Sequence, residues 1–280
     1  HNFEKETIKR YQTWMIMEQG LAPKICNLRL TAIRAFLEYA AQEYLWIMPV
    51  YTDACTIVGV KTTNHAIEYF EPNEMTALLA APSGNNKTDR RNHMILIFLY
   101  DTAARVDEAR QVKVSDLHLD AEVPYVTLLG KGRKYRNIPL MDKTILHLKR
   151  FLKDFHGSEL KTDMPLFYSK IHGQVHELSS DTFEKMIKRY AAQCRAGGYS
   201  MPDNVHCHMI RKTRAMDLYR EGVPLTHIQQ LLGHENISTT SVFYAFATLD
   251  VLAKAMETVN PDNGVKSWNN PDTLERLYRL

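Results

Sequence analysis

One short stretch of the chain interrupts an otherwise helical hydrophobic rhythm, and that interruption limits which folds are available. Between Leu117 and Leu140 the pattern has period two: Val123, Tyr125, Thr127 and Leu129, then a basic turn from Gly130 to Lys134, then Arg136, Ile138 and Leu140. Successive side chains of a strand point to opposite faces, so this segment reads as two short antiparallel strands joined by a Gly-containing turn. Elsewhere the spacing is helical. Ile8, Tyr11, Trp14, Met15 and Met17 form one amphipathic stretch, broken at Gly20, and Ile25, Leu28, Leu30, Ile33, Phe36, Leu37 and Tyr39 form a second. Pro49 to Asn64 holds no steady period and reads as a linker or short connecting turns. Beyond it, helices are predicted over Glu71–Leu79, with Pro72 in the first turn, and over His93–Thr102, Lys143–Phe155, Thr182–Arg195, His208–Glu221, Leu225–Leu232 and Thr248–Val259. Gly222 and Gly233 stand where helices should stop. The expected fold is mainly α with a small antiparallel β-sheet. Two domains are expected, a helical one over residues 1–62 and a larger one over 63–280.

The length of 280 residues is comfortable for two domains, and a hydrophobic content of 45% can fill a core in each. No run approaches the roughly 20 apolar residues that a membrane span needs, and no signal peptide opens the chain, which starts at His1 as a trimmed fragment would. The cysteines, Cys26, Cys55, Cys194 and Cys207, lack CxxC spacing, which suits reduced thiols in a cytoplasm. A net charge of +3 permits a polyanionic partner without demanding one, so an argument for such a partner must come from where the cations stand.

Four segments carry the residue types that chemistry on a phosphate needs. In Thr102–Glu108, Arg105 ends a very apolar helix, where a cation requires an anionic partner; Glu108 and Asp101 are candidates, and a purely structural ion pair would explain this segment alone. In Gly130–Arg136, Lys131, Arg133, Lys134 and Arg136 crowd one turn, either as a solvated loop or as a phosphate-facing finger whose glycines allow close backbone approach. His208 and Arg211, three residues apart, share a helix face, and both can donate to a single phosphate. Finally, a helix ends at Gly233, His234 follows, and a polar turn leads to Phe243 and Tyr244.

Taken in order, these segments resemble the catalytic domain of the tyrosine recombinase (phage integrase) family. Its motifs run roughly T-G-L-R-x-x-E, G-K-G-x-K-x-R, H-x-L-R-H-T and L-L-G-H-x-x-I-x-T-T-x-x-Y, and here they read TAARVDE, GKGRKYR, HMIRKT and LLGHENISTTSVF. The match spans about Glu71 to Met256. Residues 4–46 are similar to the helical core-binding domain that precedes it, on pattern and on the spacing of Arg29 and Arg34. The resemblance implies a C-shaped two-domain clamp on duplex DNA carrying a specific recombination site. It also implies a 3′-phosphotyrosyl intermediate and a Holliday junction, and Xer- or transposon-integrase-like work such as mobile-element integration or excision. By the same resemblance Arg105 and Arg211 clamp the non-bridging oxygens, and Lys131, with Lys134 as the fallback, is the general acid. His208 and His234 hold the phosphate, and Glu108 orients the first arginine. Lys24, Arg29, Arg34, Arg133, Arg136 and Lys212 would lie on DNA phosphates. No metal and no cofactor is implied. A dimer on each site, a tetramer in synapsis, accessory DNA-bending or directionality proteins, a bacterial cytoplasmic, nucleoid-associated location and a tail helix over about 260–280 docking on a neighbouring protomer complete the expectation.

The chain departs from this pattern at the nucleophile. The family's tyrosine falls nine residues after the histidine of the LGH motif, and here that position holds Phe243, with Tyr244 next. Either Phe243 replaces a native tyrosine, the preferred reading, or Tyr244 is the nucleophile; a shift of one residue turns a helical side chain by about 100°, so one pocket cannot take both. Ala103 replaces a usual glycine and Lys212 a common second histidine. Three other accounts compete. The chain could be a non-catalytic DNA-binding regulator derived from a recombinase, or a type IB topoisomerase that relaxes supercoils without pairing sites. The third is a zinc protein using Cys194, His206, Cys207 and His208, whose spacing fits no common zinc pattern.

Overall fold

The computed structural model describes residues 4–62, 68–84, 86–157 and 161–233. The predicted helix Thr248–Val259, the tail over 260–280, His234, Phe243 and Tyr244 lie outside the described residues. The chain divides into two compact units at residues 66 and 67.

The first unit is helical. α1 (Lys5–Met17) and α2 (Pro23–Glu43) follow the two predicted apolar stretches. Gly20 turns the chain between them with φ of 58°. The predicted linker is instead structured: a 3₁₀ turn over Leu45–Ile47 leads into α3 (Met48–Cys55). Pro49 misled the reading, since it occupies the first turn, where its missing N–H costs nothing. Ala54 and Ile57 complete a small core with Ile8, Leu30 and Leu37, so packing stabilises a helix that its own propensity does not announce.

The second unit is built around α5 (Lys87–Thr102), longer by nearly two turns than the predicted His93–Thr102 because Asn86 caps it by accepting from the Asp89 N–H at 2.8 Å. Met94, Ile95, Leu96, Phe98 and Leu99 are buried, and α5 packs against α4 (Pro72–Ala80), α7 (Asp142–His156) and α9 (Cys207–Arg220). The short α6 (Val106–Gln111) follows α5; α8 (Ser180–Ala196) and α10 (Leu225–Leu232) complete the described helices. The period-two segment forms β2 (Tyr125–Leu129) and β3 (Tyr135–Pro139), antiparallel with Leu129 opposite Tyr135, and β1 (Leu117–His118) adds a third strand. Val126, Leu128 and Ile138 face the core. A second hairpin, β4 (Tyr168–Ile171) with β5 (Gln174–Glu177), was not foreseen. It is almost wholly exposed, so it carries no alternation of apolar and polar residues to read. The mainly helical fold with small antiparallel sheets matches the expectation, with two sheets in place of one.

α5 ends at Ala103, whose φ of 49° is left-handed, a conformation that favours glycine and strains any residue with a Cβ. The residue is fully buried. Ala103→Val is expected to lower unfolding stability by about 2 kcal/mol or more, because a β-branched side chain is poorly accommodated there. Urea denaturation measures it, and an unchanged midpoint would contradict the left-handed assignment.

Candidate active site

The left-handed turn at Ala103 swings the chain out of α5 and delivers Arg105 to the N-cap of α6. The acid three residues on, Glu108, folds back on it. Its Oε2 accepts the Arg105 backbone N–H at 2.7 Å, and its Oε1 accepts Arg105 Nη1 at 2.7 Å. The spacing in TAARVDE is thus the spacing of a capping interaction that also holds a guanidinium. Asp101, the other candidate partner, is engaged elsewhere: it accepts the Met141 N–H at 3.1 Å and lies 3.6 Å from Arg214.

Glu108 is buried, with only 4% of its surface exposed, and it serves three arginines. Arg136 meets it end-on with both tips of the fork, Nη1 to Oε1 at 2.8 Å and Nη2 to Oε2 at 2.7 Å. Arg211 Nη1 lies 3.9 Å from Oε2. Burial alone would raise the carboxyl pKa, but the hydrogen bonds and charges of Arg136 and Arg105 outweigh it and hold the group at about 2. One carboxylate facing three guanidinium groups leaves a local excess of positive charge.

Arg211, 2% exposed, is fixed by two main-chain carbonyls as well: Nη1 donates to Ala103 O at 2.7 Å and Nη2 to Leu232 O. Burial and the neighbouring Arg105 and Arg136, opposed by Glu108, pull its pKa down to about 9, so it stays charged at neutral pH. Arg105 keeps more freedom. About a third of its side chain is exposed, and its Nη2 reaches Gly233 O at 3.4 Å. His208, one turn before Arg211 on α9, has its pKa lowered to about 4, first by partial desolvation of the ring and then by the charges of Arg211, Lys212, His206 and Arg105. The residue retains solvent-exposed surface, so its desolvation is incomplete, but the surrounding cations fix the direction and leave the ring neutral at pH 7.

The structure therefore brings together two local pairs, Arg105 with Glu108 and His208 with Arg211, that lie about a hundred residues apart in sequence. Lys131 and Arg133 sit on the exposed 3₁₀ turn between β2 and β3, closed by the Gly130 N–H donating to Lys134 O at 2.8 Å. Arg136, expected on DNA phosphates with the rest of this turn, points inward to Glu108 instead. In the first unit Lys24 and Arg29 are exposed. Arg34, expected on phosphates, donates to the carbonyls of Ala54 (3.0 Å) and Ile57. Cys194, His206, Cys207 and His208 do not form a metal site: among the described residues no group of three or more His, Cys, Asp or Glu side chains could hold an ion. Among the described residues, no helix is long and apolar enough to cross a membrane.

The sequence profile of the phage integrase family matches residues 68–248, and the chain belongs to that family. The Sinorhizobium fredii protein y4rC is 31% identical over 255 residues, covering 91% of this chain and 74% of that protein. Tyrosine recombinase XerD of Halalkalibacterium halodurans is 30% identical, covering 86% and 77%. In fold, the chain is similar to the XerH site-specific recombinase in its post-cleavage complex with palindromic difH substrate, with a TM-score of 0.72 at 21% identity, covering 91% of this chain and 72% of that one. It is also similar to the Tn1549 transposon integrase with circular intermediate DNA, with a TM-score of 0.68 at 20% identity, covering 91% and 85%.

Removing the central anion leaves three cations facing one another in a poorly solvated site. Glu108→Gln is expected to cost about 3 kcal/mol of stability at pH 7. The sign with pH follows from the lowered pKa: the carboxylate's contribution is complete above 4.5, its ordinary value, and is lost as pH falls toward about 2. Denaturant melts of both proteins from pH 7 to pH 2.5 should therefore converge. A constant gap would show that Glu108 is not the stabilising anion.

Proposed function

We propose that this chain is a site-specific DNA recombinase of the kind that breaks and rejoins strands through a 3′-phosphotyrosyl intermediate, with Phe243 standing where the attacking tyrosine belongs. The observation that carries this reading is the convergence of Arg105 and Arg211 on one carboxylate, with His208 beside them. Two guanidinium groups so fixed can grip the two non-bridging oxygens of a single phosphate and stabilise the charge that builds up there during attack. A tyrosine hydroxyl attacks phosphorus and gives up its proton to the neutral His208 ring, the bond to the 5′-oxygen breaks, and Lys131 on the exposed turn, with Lys134 as the fallback, supplies the proton to that leaving oxygen. His208 is neutral before attack, so it hydrogen-bonds the phosphate without adding to the repulsion among the arginines. His234 is assigned the matching contact from the far side of Gly233. No metal or cofactor enters the scheme.

The partner is double-stranded DNA with a specific site, bound by a dimer and paired through a tetramer, in integration or excision of a mobile element. The first unit serves as the core-binding domain, with Lys24 and Arg29 on phosphates, and the segment over 260–280 docks on a neighbouring protomer. Position 243 is read as a substituted nucleophile. Phe243 also favours a second reading, a DNA-binding regulator that has lost catalysis.

Three proteins separate these readings: the chain as it stands, Phe243→Tyr, and Phe243→Tyr with Tyr244→Phe. Each is incubated with nicked suicide DNA bearing the cognate site, and covalent adducts are counted on a denaturing gel. Adducts from the two Phe243→Tyr proteins alone are the expected result. An adduct from the unaltered chain would make Tyr244 the nucleophile, and no adduct on a site that is demonstrably bound would leave the regulator.

Binding to duplex DNA is expected to weaken by roughly 10³-fold or more between about 50 and 200 mM salt, as counterions released from the phosphates return. A nearly flat response in a filter-binding titration would contradict a clamp held by phosphate contacts.

A further inference from the structure

The geometry points to Arg136 as a positioning residue that, through Glu108, aims Arg105, one of the two phosphate-gripping arginines, and so assigns it no contact with DNA. It stands in a run of four cations, yet only 14% of its side chain is exposed. Both ends of its fork are used by Glu108, and its Nε donates to Leu231 O at 3.1 Å, at the end of α10. Arg105 also reaches both carboxylate oxygens, but with one side-chain nitrogen and its backbone N–H, whereas Arg136 does so with two guanidinium nitrogens. The bidentate pairing fixes the plane of the carboxylate, and that plane in turn sets where Arg105 Nη1 and its backbone N–H are held.

Two glycines make room for this side chain from opposite ends of the sequence. A Cβ on Gly130 would lie 3.3 Å from Arg136 Nη1 and 3.5 Å from Glu108 Oε1, and one on Gly233 would lie 3.2 Å from both the Cδ and the Nη1 of Arg136. Gly130 thus provides close approach for a protein guanidinium, where the sequence suggested approach to a phosphate. Because Arg136 holds both Glu108 and the last turn of α10, it also ties Arg105 to the point from which the chain continues toward residue 234. A lysine could carry the charge at this position but could not span both carboxylate oxygens and the Leu231 carbonyl together.

The proposal rests on the phosphoryl-transfer reading only for the identity of the anion, so the first test uses orthovanadate alone as the anion. Vanadate binding by the unaltered chain is compared with that of Arg136→Lys, Arg136→Ala and Gly130→Ala, after thermal melts establish that each is folded. All three variants are expected to bind vanadate about tenfold more weakly or worse. Added methylguanidinium is expected to restore Arg136→Ala and to leave Arg136→Lys unimproved.

Parent-like binding by Arg136→Lys would show that charge alone suffices and would overturn the proposal. So would a failure of the unaltered chain to bind vanadate, or losses that follow thermal stability and do not respond to methylguanidinium. In the Phe243→Tyr background, Arg136→Lys is expected to slow adduct formation at saturating DNA by about 10²-fold with the salt slope of DNA binding unchanged. A slope made shallower by about 0.9, with the adduct rate intact, would instead make Arg136 a phosphate contact and overturn the assignment. If Phe243→Tyr forms no adduct on a bound site while vanadate binding still depends on Arg136, the recombinase reading fails and the positioning role stands.

Discussion

The second unit depends on a single buried carboxylate. Three arginines cannot share a poorly solvated site without an anion, and Glu108 is the anion on which they converge. Each arginine comes from a different part of the fold: Arg105 from the turn after α5, Arg136 from β3, and Arg211 from α9. The hydrogen bonds that neutralise Glu108 are therefore also the bonds that hold these elements in register around the site. The charge remaining after Glu108 is counted is positive, and it faces outward through Arg105, the most exposed of the three. A cluster built this way holds its cations in fixed positions before any ligand arrives, which is the condition that preorganised electrostatic stabilisation of an anion requires.

The sequence reveals the parts of the fold that follow from burial and hides those that follow from pairing. The helices α7 and α8 have clear apolar faces, and β2 and β3 show the period of a half-buried hairpin, so all four were legible. α3 and the β4–β5 hairpin were not, because one is short and rich in residues usual in turns, and the other buries almost nothing. The candidate site shows the same division. Arg105, Glu108, His208 and Arg211 stand in spacings that local geometry explains. The direction of Arg136 could not be read, because an arginine in a basic run looks the same whether it faces solvent or a carboxylate 28 residues back in the chain. The glycines at 130 and 233 were the available signal, and without coordinates they point to a phosphate as readily as to a side chain.

The departures from the family pattern fall unevenly. Ala103, in place of the usual glycine, keeps the left-handed turn at some cost in strain and leaves the carbonyl that accepts Arg211 in place. Lys212 retains positive charge next to Arg211. Both changes leave the positive charge and the backbone acceptor around Arg211 in place, whereas Phe243 departs from the family pattern in having no side-chain oxygen. Charge and geometry are thus kept at Ala103 and Lys212, both of which lie beside Arg211.

The two carbonyls that hold Arg211 belong to Ala103 and Leu232, at the ends of two helices separated by most of the second unit's sequence. Neither helix end alone can place the guanidinium. A polypeptide still emerging from the ribosome, or one whose last helices have come undone, thus lacks the grip even though it already contains Arg105, Lys131 and Arg136. The position of Arg211 is set only when both helix ends are in place, so the cluster is a property of the completed fold and of no shorter part of it.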